Sequence, residues 1–427
     1  MSGTDPSVTS GGWRRRRLPL AAAAVTLAAV ALLAWYGSRQ EACLFALDAH
    51  GGRVAWSAAS GDRMLAAAAG PQERVYAWSA ARSPDGGIAG VRLLAFDAGS
   101  GRRLWSYAPD WAAFPGAVPE RSARLRPYPA PGRVYLVLAA GEGESTLVAL
   151  DAAGGRPLWS VRGVLDPAPG EEPAVLAAGE AVVAAGLEPG GRTVRLSALA
   201  RADGRLRWRA SVPLGRRLTI PEVVDQPFLA NDGRTLWYGP DGTLASFDLA
   251  TGAPLATRRG VAGTQLGLRG GTLYRSSPSA LEALDPVTGS SRWRYTRPPA
   301  PGGALRRFAL GDGAVFAVGA EAGGIWLDAV DATDGRERWR TQAATAPGDT
   351  LYLHAPAAVR DAVLVATGSG AGDRTVTARS PATGAVRWRF VTRGGGDVAA
   401  AGGRAFVTDL GPRWRHWLAR VNPAWNA

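Results

Sequence analysis

One eleven-residue pattern recurs along the chain and limits what the chain can fold into. It reads ALDAAGGRPLW at residues 149–159, and close copies begin at residues 46, 95, 283 and 329. Three more divergent copies, ALARADGRLRW, SFDLATGAPLA and ARSPATGAVRW, begin at residues 198, 246 and 378. Eight copies predict a repeat architecture in which each unit is a small sheet that is stable only when packed against its neighbours.

The residue types in each copy predict a tight turn between two strands. An apolar strand ends at an aspartate, whose carboxylate can accept backbone N–H groups of the turn. The glycine four residues later supplies the positive φ that such a hairpin requires. The predicted turn residues are Asp48, Gly52, Asp97, Gly101, Asp151, Gly155, Gly204, Asp248, Gly252, Asp285, Gly289, Asp331, Gly335 and Gly384.

The second strand of each hairpin carries a tryptophan at a fixed offset. These residues are Trp56, Trp105, Trp159, Trp208, Trp293, Trp339 and Trp388. Further strand signals, such as RVYLVL and AVFAVG, precede each copy and predict four-stranded antiparallel units. Radial stacking of such units gives a β-propeller, in which each indole docks between adjacent blades. Burying one such ring stabilises the fold by about 1.5–3 kcal/mol.

The number of strands predicts eight blades. Seven full units run from about residue 62 to 394, and the tail at 396–422 supplies three further strands. The segment around Arg53 is expected to add the fourth, so that both chain ends close the last blade. Seven blades is the alternative. The predicted all-β propeller domain spans residues 43–427.

The amino-terminal sequence predicts a membrane anchor. A short basic cytoplasmic segment at 1–17 precedes an uncharged apolar run at 18–36, which is long enough for a helix to cross a bilayer. The arginines before it place that end in the cytoplasm and the propeller on the extracytoplasmic side. A cleaved signal peptide and lipoprotein processing at Cys43 are the alternatives, and both also export the propeller.

Composition argues against several kinds of chemistry. Cys43 is the only cysteine and the three histidines are far apart in sequence, so neither a disulfide nor a metal site is predicted. No G-x-S-x-G or S-x-x-K motif is present. We therefore predict no catalytic, cofactor-binding or metal-binding residues, and do not expect a small-molecule substrate.

The formal net charge of +13 would suit an anionic partner, but the chain contains no lysine, which points to a compositional bias. Arginines flank the tryptophan in RWR at 207–209, 292–294, 338–340, 387–389 and 413–415. Because side chains alternate along a strand, these arginines point away from the docked ring. Charged residues on an outermost strand prevent it from pairing with the edge of another sheet. Nucleic-acid binding is not expected.

The pattern A-x-D-x-x-x-G-x-x-x-W resembles the tryptophan-docking repeat of the pyrroloquinoline-quinone (PQQ) propeller superfamily over nearly the whole chain beyond residue 43. That superfamily includes quinoprotein dehydrogenases and the non-enzymatic propeller lipoprotein of the outer-membrane protein assembly complex. A dehydrogenase would imply calcium held by carboxylate and amide groups and, in many members, two adjacent cysteines. This chain lacks the cysteine pair and has only three asparagines, Asn231, Asn422 and Asn426. The resemblance therefore implies the non-enzymatic branch, with a PQQ- and calcium-dependent dehydrogenase as the alternative.

Longer connections between units are the predicted binding surface. The segment 110–132 carries Trp111, Phe114, Arg121, Arg124 and Arg126, and the segment 211–228 carries Arg216 and Arg217. Aromatic and basic side chains on one rim would suit an acidic protein, a glycan or an anionic headgroup. The sequence thus predicts a membrane-anchored, extracytoplasmic propeller that acts as a non-catalytic protein-binding scaffold.

Overall fold

A computed structural model gives the fold over most of the chain beyond residue 39. It describes residues 40–60, 63–82, 88–119, 122, 125–140, 145–165, 174–188, 192–214, 229–239, 243–259, 265–296, 304–321, 324–344, 356–368, 373–393 and 398–412. These residues form thirty-two β-strands and a short 3-10 helix at Trp111–Ala113. The strands make eight separate four-stranded antiparallel sheets, which we call blades.

Blades 1 to 7 each use four consecutive strands, counted from the inner to the outer strand. Blades 1 and 2 comprise β3 (Arg63–Gly70), β4 (Arg74–Arg82), β5 (Ile88–Asp97), β6 (Arg103–Tyr107), β7 (Tyr128–Ala130), β8 (Arg133–Leu138), β9 (Ser145–Asp151) and β10 (Pro157–Leu165). Blades 3 and 4 comprise β11 (Ala174–Ala178), β12 (Ala181–Leu187), β13 (Thr193–Ala200), β14 (Leu206–Pro213), β15 (Leu229–Asn231), β16 (Thr235–Tyr238), β17 (Thr243–Asp248) and β18 (Pro254–Arg259). Blades 5 and 6 comprise β19 (Gln265–Arg269), β20 (Thr272–Ser276), β21 (Ala280–Leu284), β22 (Ser291–Thr296), β23 (Ala304–Leu310), β24 (Ala314–Glu321), β25 (Gly324–Asp331) and β26 (Glu337–Ala344). Blade 7 comprises β27 (Ala357–Val359), β28 (Ala362–Gly368), β29 (Arg374–Arg379) and β30 (Val386–Thr392).

Blade 8 is built from both ends of the described chain. Its strands are β31 (Val398–Ala401), β32 (Arg404–Pro412), β1 (Gln40–Asp48) and β2 (Val54–Ser60), in the order β2-β1-β32-β31. The expected division of three carboxyl-terminal strands and one amino-terminal strand is wrong, because each end contributes two. The apolar run before Asp48 is itself a strand, and it pairs with β32 along its whole length, from Gln40 opposite Pro412 to Asp48 opposite Arg404.

The blades form a closed ring. The inner strand of each blade contacts the inner strands of both neighbouring blades, including β31 with β3 and β27 with β31. The predicted all-β, eight-bladed propeller is therefore confirmed, and the seven-bladed alternative is wrong.

The hydrophobic core is divided among the interfaces between adjacent blades, which we call seams. Eight clusters of buried apolar side chains occur, one at each seam. This arrangement follows from strand alternation, because each sheet has two apolar faces and both need a covering. The cluster between blades 4 and 5 has six buried residues and is the smallest among the described residues.

The predicted cytoplasmic segment at 1–17 and the predicted membrane span at 18–36 lie outside the described residues. Among the residues that are described, no helix is long and apolar enough to cross a membrane.

Candidate functional site

Seven of the eight seams contain an indole that reaches from the outer strand of one blade to the turn of the next. The Nε1 of Trp105 on blade 1, for example, donates to the carbonyl oxygen of Ala152 on blade 2 at 2.9 Å. The same contact recurs, at 2.8 to 3.1 Å, between the following pairs: Trp56 and Ala98, Trp159 and Arg201, Trp208 and Leu249, Trp293 and Ala332, Trp339 and Pro381, and Trp388 and Ala49. Every predicted docking tryptophan thus lies at a seam.

The glycine of each turn provides the surface on which the indole lies. Gly155 has φ +71°, and a Cβ added there would come within 2.5 Å of the Trp105 ring. Two independent requirements, a left-handed backbone and a flat approach, therefore select glycine at this position. The glycines at 52, 101, 204, 252, 335 and 384 meet the ring of the preceding blade in the same way.

The turn aspartates use their carboxylates within the turns. Asp97 accepts hydrogen bonds from the backbone N–H and the hydroxyl of Ser100, both at 2.7 Å, and the hydroxyl contributes most to lowering the pKa of Asp97. Asp48, Asp151 and Asp248 likewise accept backbone N–H groups of their own turns.

Two turn aspartates also accept from an arginine on the next strand. Arg338 donates to Asp331 at 2.7 Å and is the main reason that the pKa of Asp331 falls to about 2. Arg292 donates to Asp285 at 2.9 Å and lowers the pKa of that carboxyl. All of these interactions stabilise the turns, and none points toward a reacting group.

A second aromatic position supports the indoles and was not singled out in the sequence. Tyr76 on the second strand of blade 1 lies 5.8 Å, ring centre to ring centre, from Trp105 on the fourth strand. Equivalent pairs are Tyr135 with Trp159, Tyr274 with Trp293, Phe316 with Trp339 and Phe406 with Trp56. The signal was present in the strand motifs RVYAWS, RVYLVL, TLYRS and AVFAVG, in which the third residue is aromatic.

The seam between blades 4 and 5, which we call the 4/5 seam, is the exception. Ala256 stands where the other outer strands carry the docking tryptophan, and both Ala256 and Arg258 are exposed. The Nη1 of Arg258 donates to the carbonyl oxygen of Gly289 at 2.8 Å, and the guanidinium lies where a Cβ of Gly289 would sit. A planar cation thus takes the place of the indole on this turn.

Blade 5 presents a charged cluster to the same seam. Arg275, Glu282 and Arg294 are paired across β20, β21 and β22, and therefore share one face of the sheet. Glu282 accepts from Arg294 at 2.9 Å and forms a salt bridge with Arg275. Burial lowers the pKa of Arg275, while the charge of Glu282 opposes that change. The neighbours Leu273 and Leu284 on the same face belong to the apolar cluster shared with blade 4, which orients the charged cluster toward the 4/5 seam.

The predicted binding segment 110–132 packs partly against the propeller. Trp111 and Phe114 are half-buried and contact the apolar cluster between blades 1 and 2. Asp110 caps the short helix by accepting from the N–H of Ala112 at 3.2 Å. Arg126 is half-buried and has interaction partners. Arg121, Arg124, Arg216 and Arg217 lie outside the described residues, so a binding surface that joins the two segments stays a prediction.

A cavity of about 400 Å³ lies between blades 5 and 6. Arg269 and Arg292 line it, and both charges are already compensated within the described chain. Arg269 binds Asp312 and the carbonyl of Leu310, whereas Arg292 binds Asp285 at 2.9 Å and the hydroxyl of Thr272 at 3.0 Å. The cavity thus lies at a seam, and the two arginines that line it already have partners.

The described residues do not fit a calcium-bound quinone. The eight inner strands contain no aspartate or glutamate. Across the part of the chain that the structure describes, no group of three histidine, cysteine, aspartate or glutamate side chains could hold a metal ion. Calcium requires six to eight oxygen ligands, in which carboxylates normally predominate.

Eight four-stranded blades, joined at seven seams by an indole on a glycine turn, define a tryptophan-docked β-propeller of the PQQ-like repeat superfamily. The family model described as outer membrane protein assembly factor BamB matches residues 26–123, 46–295 and 240–389. The chain belongs to this family.

Two solved structures are similar to this chain. BamB from Moraxella catarrhalis is 16% identical, with a TM-score of 0.48, and the match covers 84% of this chain and 88% of that chain. The quinohemoprotein alcohol dehydrogenase ADHIIG from Pseudomonas putida HK5 is 14% identical, with a TM-score of 0.52, and the match covers 85% of this chain and 70% of that chain. No curated protein matches this chain.

Proposed function

We propose that this protein is a membrane-anchored propeller on the extracytoplasmic side of the cell envelope, where it binds protein partners as a non-catalytic scaffold. The observation that carries the proposal is membership of the outer membrane protein assembly factor family over most of the chain. The turn aspartates act within their own turns, and the inner strands lack carboxylates. Both features favour a binding role over redox catalysis.

The anchor is proposed to be the uncleaved apolar segment at 18–36. Blade 8 begins at Gln40, and the three intervening residues can span only about 10–14 Å when extended. The end of β1 at Gln40, and with it the rim of blade 8, would then lie close to the membrane surface.

The position of Cys43 supports an uncleaved anchor over lipoprotein processing. Its side chain is fully buried in β1, within the apolar cluster between blades 7 and 8. A lipid on Sγ would have to leave through that cluster, and cleavage before Cys43 would remove Gln40–Ala42, which pair with β32.

In-cell crosslinking tests the binding role. The full chain, tagged at its carboxyl terminus, is crosslinked in intact cells of its own host and recovered from the membrane fraction. We expect a reproducible envelope protein that is lost when Arg121, Arg124 and Arg126 are replaced by glutamate. The matched control replaces Arg207 and Arg209, two exposed arginines on β14, by glutamate.

The enzymatic alternative is tested on the same purified protein. Calcium and PQQ are added together with alcohols and sugars and an artificial electron acceptor. Sustained dye reduction that depends on both PQQ and substrate would overturn the non-catalytic assignment. Absence of any envelope partner after crosslinking would overturn the scaffold.

A further inference from the structure

The 4/5 seam differs from the other seams in three independent ways. It lacks a docking indole, because Ala256 replaces the tryptophan. It has the smallest apolar cluster of the described residues. It also contains a buried charged cluster, in which Arg275 is 93% buried and Glu282 is 94% buried, as their exposed fractions of 7% and 6% show.

The charge of this seam is not balanced within the described chain. Glu282 forms salt bridges with both Arg275 and Arg294, so that one negative charge is shared between two positive charges. Arg258 adds a third guanidinium on the opposite wall, bonded to a neutral carbonyl. Three arginines facing one glutamate leave a surplus of positive charge at the seam.

The buried arginine is also under-satisfied. The Nε and Nη1 atoms of Arg275 are buried and have no hydrogen-bond partner among the described residues. A buried guanidinium is weakly screened by water, so its field extends to the mouth of the seam. At that mouth the side chain of Arg294 is 56% exposed, and Arg258 on β18 is exposed as well.

Because the 4/5 seam lacks an indole, a partner protein can approach its positively charged side chains. At the other seams a ring covers the turn of the next blade, whereas here a flexible guanidinium covers Gly289 and can also bind a second acceptor. Guanidinium groups bind carboxylates with paired, charge-assisted hydrogen bonds.

We propose that the 4/5 seam is a docking site for an acidic segment of a partner protein, whose carboxylates bind between Arg258 and Arg294. This proposal rests on the scaffold function above and names the chemistry of one partner. Carboxylate is the group that the surplus positive charge and the exposed guanidinium donors both favour.

Fluorescence anisotropy with the full chain in detergent tests the proposal. The probe is a labelled peptide that alternates glutamate with alanine, and the control peptide has glutamine in place of glutamate. We expect saturable binding of the glutamate peptide, weaker at higher salt, and none of the glutamine peptide.

Two substitutions and a control locate the site. Arg258→Ala is expected to weaken binding about tenfold, whereas Arg207→Ala, an exposed arginine on β14, is expected to leave it unchanged. Ala256→Trp is expected to close the seam, weaken binding at least as much and raise the unfolding temperature. Loss of binding in a more stable protein excludes unfolding as the cause.

Several results would overturn the docking site. These are no saturable binding of the glutamate peptide, equal loss in Arg258→Ala and Arg207→Ala, wild-type binding by Ala256→Trp, or binding of anionic lipid vesicles at the same site in preference to the peptide. If Ala256→Trp does not fold, Arg294→Ala replaces it and is expected to weaken binding about tenfold.

In-cell crosslinking separates this proposal from the scaffold function. An envelope partner that is retained in Arg258→Ala contradicts the seam and leaves the scaffold standing. Peptide binding at the seam with no envelope partner contradicts the scaffold.

Discussion

The indole Nε1 of Trp388 donates a hydrogen bond at 3.1 Å to the carbonyl oxygen of Ala49, 339 residues earlier in the chain. The ring lies over Gly52 of the same turn. This contact joins blade 7 to blade 8 and uses the geometry found at six other seams. The ring therefore closes by the same interaction that joins its consecutive blades.

Replacing Trp388, whose indole joins blade 7 to blade 8, should strongly destabilise the protein. Trp388 is 8% exposed, and truncating a buried tryptophan to alanine costs about 3–5 kcal/mol. Trp388→Phe keeps most of the ring but removes the donor, and should cost less, since one hydrogen bond contributes about 1 kcal/mol. Urea unfolding followed by circular dichroism measures both. Equal free energies of unfolding for wild type and Trp388→Ala would refute closure at this seam.

The glycine under an indole should tolerate alanine less well than a glycine in an open turn. Gly101 and Gly132 both have φ +73°. A Cβ on Gly101 would come within 2.5 Å of Trp56, whereas a Cβ on Gly132 meets nothing within 4 Å. Gly132→Ala should cost about 1–2 kcal/mol from the backbone alone. Gly101→Ala should cost about 1–3 kcal/mol more because the indole must move. Equal costs would mean that the ring does not lie on the turn.

Acid should weaken the turn that holds Trp293. The pKa of Asp331 is lowered to about 2, mainly by Arg338, so the folded value lies below the unfolded value of about 3.9. The carboxylate therefore contributes stability that is fully present above about pH 4 and is lost as the pH falls toward 2. Thermal unfolding at a series of pH values should show a shallower acid decline for Asp331→Asn than for wild type. Parallel curves for Asp331→Asn and wild type would contradict the assignment.

The thiol of Cys43 should be inert in the folded protein. It is fully buried, and thiol reagents react only with an accessible thiolate. We expect labelling by an Ellman-type reagent only after denaturation, and an intact mass with no lipid on Cys43 for protein extracted from membranes. Rapid labelling of the native protein would contradict the buried position of Cys43 in β1, and a diacylglyceryl adduct would contradict the proposed anchor.

The hairpins were predictable because each copy of the pattern contains all the residues that form the turn and its two strands. An aspartate accepts turn N–H groups, a glycine provides positive φ, and a tryptophan follows at a fixed offset. Asp151, Gly155 and Trp159 could therefore be placed in strand, turn and strand from sequence alone. The count of strands in and between these copies then predicted eight blades.

The composition of blade 8 was harder to predict because the hairpin of β1 and β2 supplies only two of its four strands. The pattern predicts the pairing of β1 with β2, but nothing near Ala42–Leu47 in sequence shows what covers the other edge of β1. The pairing with β32 is set by ring closure, which is a property of the whole chain and of no local segment.

The 4/5 seam was missed for a different reason. Arg258 and Arg294 look like ordinary charges on outer strands, and strand alternation alone does not distinguish a guanidinium that crosses to the next blade from one in water. Arg275 and Glu282 lie in short strands in which each charge looks exposed. Only the cross-strand register shows that they share a buried face.

A double-mutant cycle on Trp56 and Phe406 tests the closed, eight-bladed ring most directly, since these rings lie 5.9 Å apart in a blade made from both chain ends. Trp56→Leu and Phe406→Leu, singly and together, give the coupling free energy from urea unfolding, and Phe316→Leu in blade 6 serves as the distant partner. We predict a coupling of about 0.5–1.5 kcal/mol for Trp56 with Phe406 and additivity for Trp56 with Phe316. Additive effects for Trp56 and Phe406 would contradict a ring closed by the two ends of the chain.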